Sequence, residues 1–406
     1  MATSSKKTQA NGRSVLISGA SIAGPTLAYW LHSYGFRVAV FEKSAAIRKG
    51  GYAIDVRGDA VEVSERMGIG EALKAAALGP RTLHFVDQTG ENHISILSDL
   101  LTGARVGRDI ELPRGALTAA IYALTRDAVD YRFNAFITRL TDGSEGVDVT
   151  FGDGATERFD LVIGADGLHS NVRSLVFGAE SQFDYNTGYC FAGFDVPNTL
   201  GLRNEALVAN RPGQLLTIVA AGENQQLNVF FNMIHPPITR TEGDSPEFQK
   251  RLIRESFAGW GWLGPKMLDA MDRADDLYFD EIKQIRMPAY SKGRVVLVGD
   301  AAYAPSFLTG QGSSMAIVGA YVLASELALN ADHPNAYAAY DRIMRPFVLA
   351  NQARLKEGES AMTPKTQAGI DARNAWLAAL TEAPPAEGRP EHSMVDLSPY
   401  LKIEGS

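Results

Sequence analysis

The run Val15-Leu16-Ile17-Ser18-Gly19-Ala20-Ser21-Ile22-Ala23-Gly24 decides the architecture of this chain. A short apolar strand, Val15–Ser18, enters a Gly-x-Ser-x-x-Gly turn, after which Leu27, Ala28 and Leu31 fall on one face of a helix. Gly35 stops that helix, and Arg37–Phe41 reads as a second strand ending at Glu42. Strand, turn, helix and strand in this order make the unit that cradles a dinucleotide. Gly19 forms the tight turn and the helix N-terminus faces a pyrophosphate. Glu42, 23 residues after Gly19, is placed to accept from ribose hydroxyls. Ser21 stands where a second glycine is usual, so a small side chain borders the pyrophosphate. The competing reading is a tight βα turn with an incidental surface Glu; the flanking strands and the spacing of the acid favour the dinucleotide.

A second stretch, nearly 280 residues later, points to the same ligand. The strand Val295–Val298 ends in Gly299-Asp300, and a loop crosses to Gly310-Gln311-Gly312, with a helix expected from Ser313. Asp300 can accept from a ligand hydroxyl, and the glycines let a ligand approach the backbone closely. The helix N-terminus offers unpaired N–H groups to a developing negative charge. Between these stretches, Arg158–Ile163 predicts another strand, delivering Gly164-Ala165-Asp166-Gly167 beside the first turn. Arg114 opens the helical Leu112–Thr125 pattern; its guanidinium suits a pyrophosphate or a ribityl chain, and equally a solvated helix start.

Length and composition set the frame. The chain has 406 residues, enough for two domains at roughly 150 residues each. A content of 45% apolar and 21% charged residues is ordinary for a globular protein. The net charge of −8 argues against a nucleic-acid surface or a basic membrane patch. A single cysteine, Cys190, excludes an internal disulfide, a redox dithiol and a cysteine-rich metal site, and reads as a buried small apolar residue. Residues 1–13 are polar and basic, the texture of a flexible tail. The longest apolar run, Met315–Leu329, carries Gly319, Ser325 and Glu326 and reads as a buried helix. The expected setting is cytoplasmic, with no membrane and no nucleic-acid partner, as monomer or homodimer.

Periodicity divides the chain. Residues 1–175 read as the first part of the dinucleotide domain, with the alternating 76–100 stretch contributing to the sheet of the other domain. Residues 176–285 alternate like an antiparallel sheet (Tyr189–Val196, Leu215–Ala220, Leu227–Met233) before the helical Ser245–Phe257, and form a substrate-binding domain. Residues 286–360 return to the dinucleotide domain, and 361–406 hold one helix, Gln367–Leu380, followed by a Pro-rich loose tail. The fold class is α/β: a Rossmann-like domain, a mostly antiparallel β-sheet domain and a C-terminal helix.

Taken in order, Gly19-x-Ser21-x-x-Gly24 with Glu42, Arg114-x-x-Leu117, Gly164-Ala165-Asp166-Gly167-x-x-Ser170-x-x-Arg173, and Gly299-Asp300-Ala301-Ala302 with Gly310-Gln311-Gly312 resemble the single-component FAD-dependent aromatic monooxygenases. This is the para-hydroxybenzoate hydroxylase-like class, and the tetracycline-inactivating monooxygenases and their actinobacterial relatives look closest. The resemblance spans about residues 14–355. It implies FAD as bound cofactor, NADPH or NADH as transient electron donor and O2 as co-substrate, with a small-molecule substrate hydroxylated through a flavin C4a-hydroperoxide. It also implies an FAD ribityl contact for Asp300, an FAD-channel position for Arg114, Asp166 and Gly167, and a place near the flavin for Asp55 and near the nicotinamide cofactor for Arg48. The candidate cofactor residues are thus Gly19, Ser21, Ile22, Ala23, Gly24, Glu42 and Lys43 at the adenine end. Arg48, Asp55, Arg114, Asp166 and Gly167 lie between, and Gly299, Asp300, Gly310, Gln311, Gly312 and Ser313 at the flavin end. No protein nucleophile, catalytic residue or metal site is assigned.

The chain departs from the family at Tyr303, where His is usual, at Phe307, where Pro is common, and at Ser314, where Asn is common. Phe191, Phe194, Phe230, Phe231, Met233 and Tyr303 are candidates for the substrate ceiling. Trp260-Gly261-Trp262-Leu263-Gly264-Pro265 resembles a flavin-halogenase signature but has Gly264 in place of its isoleucine, and reads as helix-start packing. The readings to be separated are hydroxylation, Baeyer–Villiger-type insertion, an oxidase or reductase on the same scaffold, and a flavoprotein-like binding protein without catalysis. The intact Asp300 and Gly-Gln-Gly argue against the last.

Overall fold

The computed structural model describes residues 12–403 apart from 49, 103, 106, 222, 244 and 381–387. Its first layer is a six-stranded sheet in the order β17 (Ser291–Lys292), β18 (Val295–Leu297), β11 (Leu161–Gly164), β1 (Ser14–Ser18), β2 (Arg37–Glu42) and β7 (Asp130–Phe133). All pairs are parallel except the β17–β18 edge. The central strands are continuous apolar runs because both faces are covered. Register places Ser18 beside Gly164 and Gly164 beside Leu297. The loops that follow β1, β11 and β18 therefore leave the same edge of the sheet together, which is where open α/β sheets bind ligands.

Arg158–Ile163 is not one strand. The chain turns a corner at Asp160, whose carboxylate accepts from both Ser14 N and Ser14 Oγ at 2.7 Å. Before the corner, β10 (Thr156–Phe159) pairs with β9 (Gly146–Phe151), which pairs with β8 (Ile137–Gly143) in a small antiparallel sheet; only Leu161–Gly164 joins the parallel one.

The second large layer has seven strands, in the order β16 (Tyr278–Ile285), β12 (Asp184–Pro197), β15 (Gln226–Ile234), β14 (Gln214–Ala221), β13 (Glu205–Arg211), β4 (Thr82–Val86) and β5 (Asn92–Leu97). Only β13–β4 is parallel. One face packs Phe194, Phe231 and Met233 against the helices Pro246–Ser256 and Gly264–Arg273. The buried Trp260 indole donates to Gln214 Oε1 at 2.7 Å, so the tryptophan segment is packing of this core. Cys190 lies in the same core, where burial pushes its thiol up to about 12. β3 (Ala53–Val56) and β6 (Ile110–Pro113) pair as a separate antiparallel ribbon.

Helix α1 (Ala23–Ser33) follows the first turn, α2 (Arg114–Thr125) follows β6, and α3 (Asn171–Val176) follows the Asp166-Gly167 turn. Helix α4 (Gly312–Leu329) is long and apolar enough to cross a membrane, but 83% of it is buried within the fold, beside α1 and Trp30. It starts at Gly312, one residue before the expected Ser313.

One expectation fails, at the C-terminal end. The C-terminal tail is not loose: Val395, Leu397 and Tyr400 are buried in the main core. Val395 N donates to Asp59 Oδ2 at 2.9 Å, and Tyr400 Oη donates to Glu326 Oε1 at 2.7 Å. Three apolar residues at irregular spacing carry no period, so composition hid the docking. At the other end residues 1–11 lie outside the described residues, whereas Arg13 donates to Leu327 O at 2.7 Å and is tied down.

Candidate active site at the junction of the two sheets

Close packing of backbone shapes the adenine end. A Cβ on Gly24 would lie 1.9 Å from Gly19 O, and one on Gly19 (φ +108°) 2.4 Å from Ala165 O. Glycine at both positions lets the first turn nest against the loop after β11. Ser21 and Ile22 lead into α1 and Ala23 and Gly24 open it, where the first N–H groups have no intrahelical acceptor. Glu42 accepts from Ala20 N at 2.8 Å and Ser44 N at 2.9 Å, which clamps its carboxylate beside that turn. Lys43 is exposed at the end of β2.

Arg114 is the bridge. Its Nη2 donates to Ser21 Oγ at 2.9 Å, and among the described residues its guanidinium has no other side-chain hydrogen bond and no ion pair. Desolvation by burial and then the Arg48 charge lower its pKa, while Asp300, Tyr278 and Tyr52 pull the other way. A desolvated cation without a carboxylate partner is costly, and an anionic ligand removes the cost. Arg48 itself is exposed on the loop above, its carbonyl accepting from Thr118 Oγ1 at 3.3 Å.

Asp300 begins the short helix Asp300–Tyr303. Asp300 is exposed to solvent although protein crowds around it, as within a groove. That crowding pushes its pKa up, against the pull of Arg114 and Arg173. A Cβ on Gly312 would stand 3.6 Å from Asp300 Oδ1, and one on Gly310 (φ +66°) 3.3 Å from Asp55 Oδ2. Asp55, Asp300, Gly310, Gly312 and Ser313 thus gather at the start of α4. Gly299 (φ +63°) packs toward Ala23, joining this end of the groove to α1. Asp55 is paired with Arg57 Nη2 at 2.7 Å, and behind it lies a polar cavity of about 230 Å³ bordered by Arg57, Asp109 and Glu111. Gln311 is fully buried, and neither its Oε1 nor its Nε2 has a hydrogen-bond partner among the described residues.

Asp166 is placed differently from the ligand-facing groups. Its carboxylate accepts from Ser170 Oγ at 2.5 Å and Val172 N at 3.0 Å, so it caps α3. Gly167 (φ +82°) has open space where a side chain would be. Arg173 donates to Ala301 O at 3.0 Å and Glu180 Oε2 at 2.6 Å, tying this loop to the one after β18.

Facing Arg114, the seven-stranded sheet presents an aromatic wall. The Tyr52 ring meets Phe230 at 4.9 Å and Phe191 at 5.4 Å between centroids, and Phe191 meets Phe307 at 4.3 Å. Tyr278 closes the group at 6.1 Å from Phe191 and 6.2 Å from Tyr52. A Cβ on Gly193 would stand 3.0 Å from both the Tyr52 and Phe230 rings, so this glycine admits them. Of the ceiling candidates, Phe191 and Phe230 are on this wall. Phe194, Phe231 and Met233 point to the opposite core, because strand residues alternate between faces. Tyr303 is buried behind the groove, accepting from Tyr340 Oη at 3.0 Å. Tyr52 and Tyr278 escaped the sequence reading; the one signal was the alternation of Tyr278 and Asp280 on an edge strand.

Residues 13–352 match the family described as FAD binding domain. The chain is a single-component FAD-dependent aromatic monooxygenase. A flavin-dependent monooxygenase from an unknown prokaryotic organism is 40% identical over 344 residues, covering 84% of this chain and 88% of that one. FAD-dependent monooxygenase asL4 of Sarocladium schorii is 31% identical over 394 residues, covering 89% and 91%. The crystal structure of tetracycline destructase Tet(55) aligns with a TM-score of 0.81 at 34% identity, covering 95% of this chain and 98% of that one.

The monooxygenase's own residues fit FAD. The lone desolvated Arg114 guanidinium, the nested Gly19 and Gly24 at a helix N-terminus, and Asp300 open in the groove supply a cation, N–H donors and a hydroxyl acceptor. Arg114 and the start of α1 would hold the pyrophosphate, Glu42 the ribose, and Asp300 the ribityl chain.

Proposed function

We propose that this enzyme hydroxylates an aromatic or polyketide-like small molecule at the expense of NADPH or NADH and O2. FAD, when bound, supplies the redox chemistry, taking reducing equivalents from the nicotinamide and delivering one oxygen atom of O2 to the substrate. The protein's part is to bind, orient and keep out water. The observation that carries the reading is the meeting of Arg114 with both the dinucleotide turn, through Ser21, and the aromatic wall of Tyr52, Phe191, Phe230 and Tyr278. A planar ring seated on that wall lies beside the groove that holds Asp300, and the N-terminus of α4 favours negative charge at that end. The likeness to a tetracycline destructase supports a polycyclic substrate.

The test is purification and turnover. The protein should be yellow, should consume NADPH faster in the presence of its substrate, and should place one labelled oxygen atom from O2 in the product. A colourless protein that takes up no FAD would reject the proposal. Peroxide as the only product across a phenol and polyketide panel would favour an oxidase, and a lactone or ester product the Baeyer–Villiger outcome. We place the enzyme in the cytoplasm, as monomer or homodimer, acting on a small molecule and on neither nucleic acid nor membrane.

A further inference from the structure

Tyr278 and Asp280 follow each other on one face of β16, and their hydrogen bonds run in one direction. Tyr278 Oη donates to Asp280 Oδ2 at 3.0 Å. The remaining acceptor capacity of Asp280 is also engaged. His169 Nε2 lies 3.1 Å from its Oδ1 and 3.0 Å from its Oδ2, and Glu281 N donates to Oδ1 at 2.8 Å. On its other side His169 Nδ1 lies 3.0 Å from Glu180 Oε1. An imidazole with a carboxylate at each nitrogen is satisfied only as the doubly protonated cation, donating both ways. Glu180 in turn accepts from Arg173 and Lys283, at 2.6 Å and 3.2 Å, so the whole string is anchored between the loop after β11 and the edge of the seven-stranded sheet.

A carboxylate only accepts, so the single Tyr278 proton is committed to Asp280. What Tyr278 has left to offer a ligand is an oxygen lone pair. The residue is 38% accessible, its ring packs on Tyr52 and Phe191, and Arg114 lies within its field. We infer that Tyr278 is a specificity-determining residue that accepts a hydrogen bond from a hydroxyl or N–H group of the substrate, with Asp280 and His169 as positioning residues that hold its proton away from the substrate. The inference rests on the proposed function, since it takes the substrate to lie on the aromatic wall. It narrows that substrate to a ring bearing a protonated hydroxyl or amino group, and disfavours the corresponding methyl ether.

The experiment uses FAD-loaded enzyme and a matched pair of probes, 2-naphthol and 2-methoxynaphthalene, titrated by perturbation of the flavin absorbance. One net hydrogen bond predicts about tenfold tighter binding of the naphthol. Tyr278→Phe should bring the two affinities together. Asp280→Asn should do the same while retaining the Tyr278 ring, because the side-chain amide can donate to the phenol oxygen and turn its proton toward the ligand. A merely structural role for Asp280 would weaken both probes alike, and a naphthol preference unchanged in Tyr278→Phe overturns the inference. A second readout needs no ligand. Nitrogen-15 spectra of the histidine rings should show His169 protonated at both nitrogens at neutral pH, and a neutral His169 there overturns the inference. Failure to bind FAD would instead count against the proposed function, and leaves the histidine measurement intact.

Discussion

The two walls of the site are built on opposite principles. The groove wall is made of loops that leave one edge of a parallel sheet, each carrying a short local motif: Gly19–Gly24, Gly164–Gly167 and Gly299–Gly312. The aromatic wall carries no motif. Phe191, Phe230 and Tyr278 meet because β12, β15 and β16 pair in register, and Tyr52 and Phe307 pack onto them from separate segments. On the proposed function, the first wall would recognise the cofactor by backbone geometry and charge, and the second the substrate by ring area. Substitutions should therefore separate them, with cofactor retention following the first wall and substrate binding the second.

The largest effect is expected at Gly24→Ala, where the new Cβ would collide with the Gly19 carbonyl. Moving that turn should abolish FAD retention and destabilise the fold by about 1–3 kcal/mol, the usual cost of overpacking, measured as flavin content and thermal midpoint. Arg114→Ala and Asp300→Ala should each weaken FAD by about 1.5–3 kcal/mol, the range for hydrogen bonds to charged groups, without lowering the midpoint of the apoprotein. Unaltered FAD affinity in both would break the assignment of the groove. Gly193→Ala tests the other wall: its Cβ presses on Tyr52 and Phe230, so substrate affinity should fall while flavin content stays unchanged.

A smaller effect concerns pH. Hydrogen bonds to Asp280 and Glu180 raise the His169 pKa from 6.5 to about 9. A raised folded-state value means that the stabilisation is fully present below pH 6.5 and is lost as pH rises through about 9. With a His169 side chain 39% exposed, screening holds the effect to under about 1 kcal/mol. The thermal midpoint should drift down across that window, and His169→Gln should remove the drift. The smallest effect on either wall is expected at Tyr400→Phe, which deletes the bond to the Glu326 carboxylate and should lower stability by about 1.5–3 kcal/mol while leaving both walls unchanged.

Much of the groove was legible because its parts are contiguous. A tight turn, a helix start and an acid at fixed spacing declare themselves within some 25 residues, and Gly19, Ser21, Glu42, Arg114 and Asp300 all come to one groove. Asp166 shows the limit of such reading: the same carboxylate serves a helix cap as readily as a ligand, and Ser170 and Val172 claim it. Phe194 and Phe231 were indistinguishable from Phe191 and Phe230 in sequence, since alternation says that faces differ without saying which faces the ligand.

By itself the sequence determined the dinucleotide unit, the split of the chain into a parallel and an antiparallel part, and the class of cofactor. Those properties depend on local backbone geometry and on the period of apolar residues. The tertiary structure alone decided the composition of the aromatic wall, the string Tyr278–Asp280–His169–Glu180 and the docking of the C-terminal segment. Each of these is a contact between residues far apart in the chain, set by strand register and by the burial of groups whose spacing carries no period.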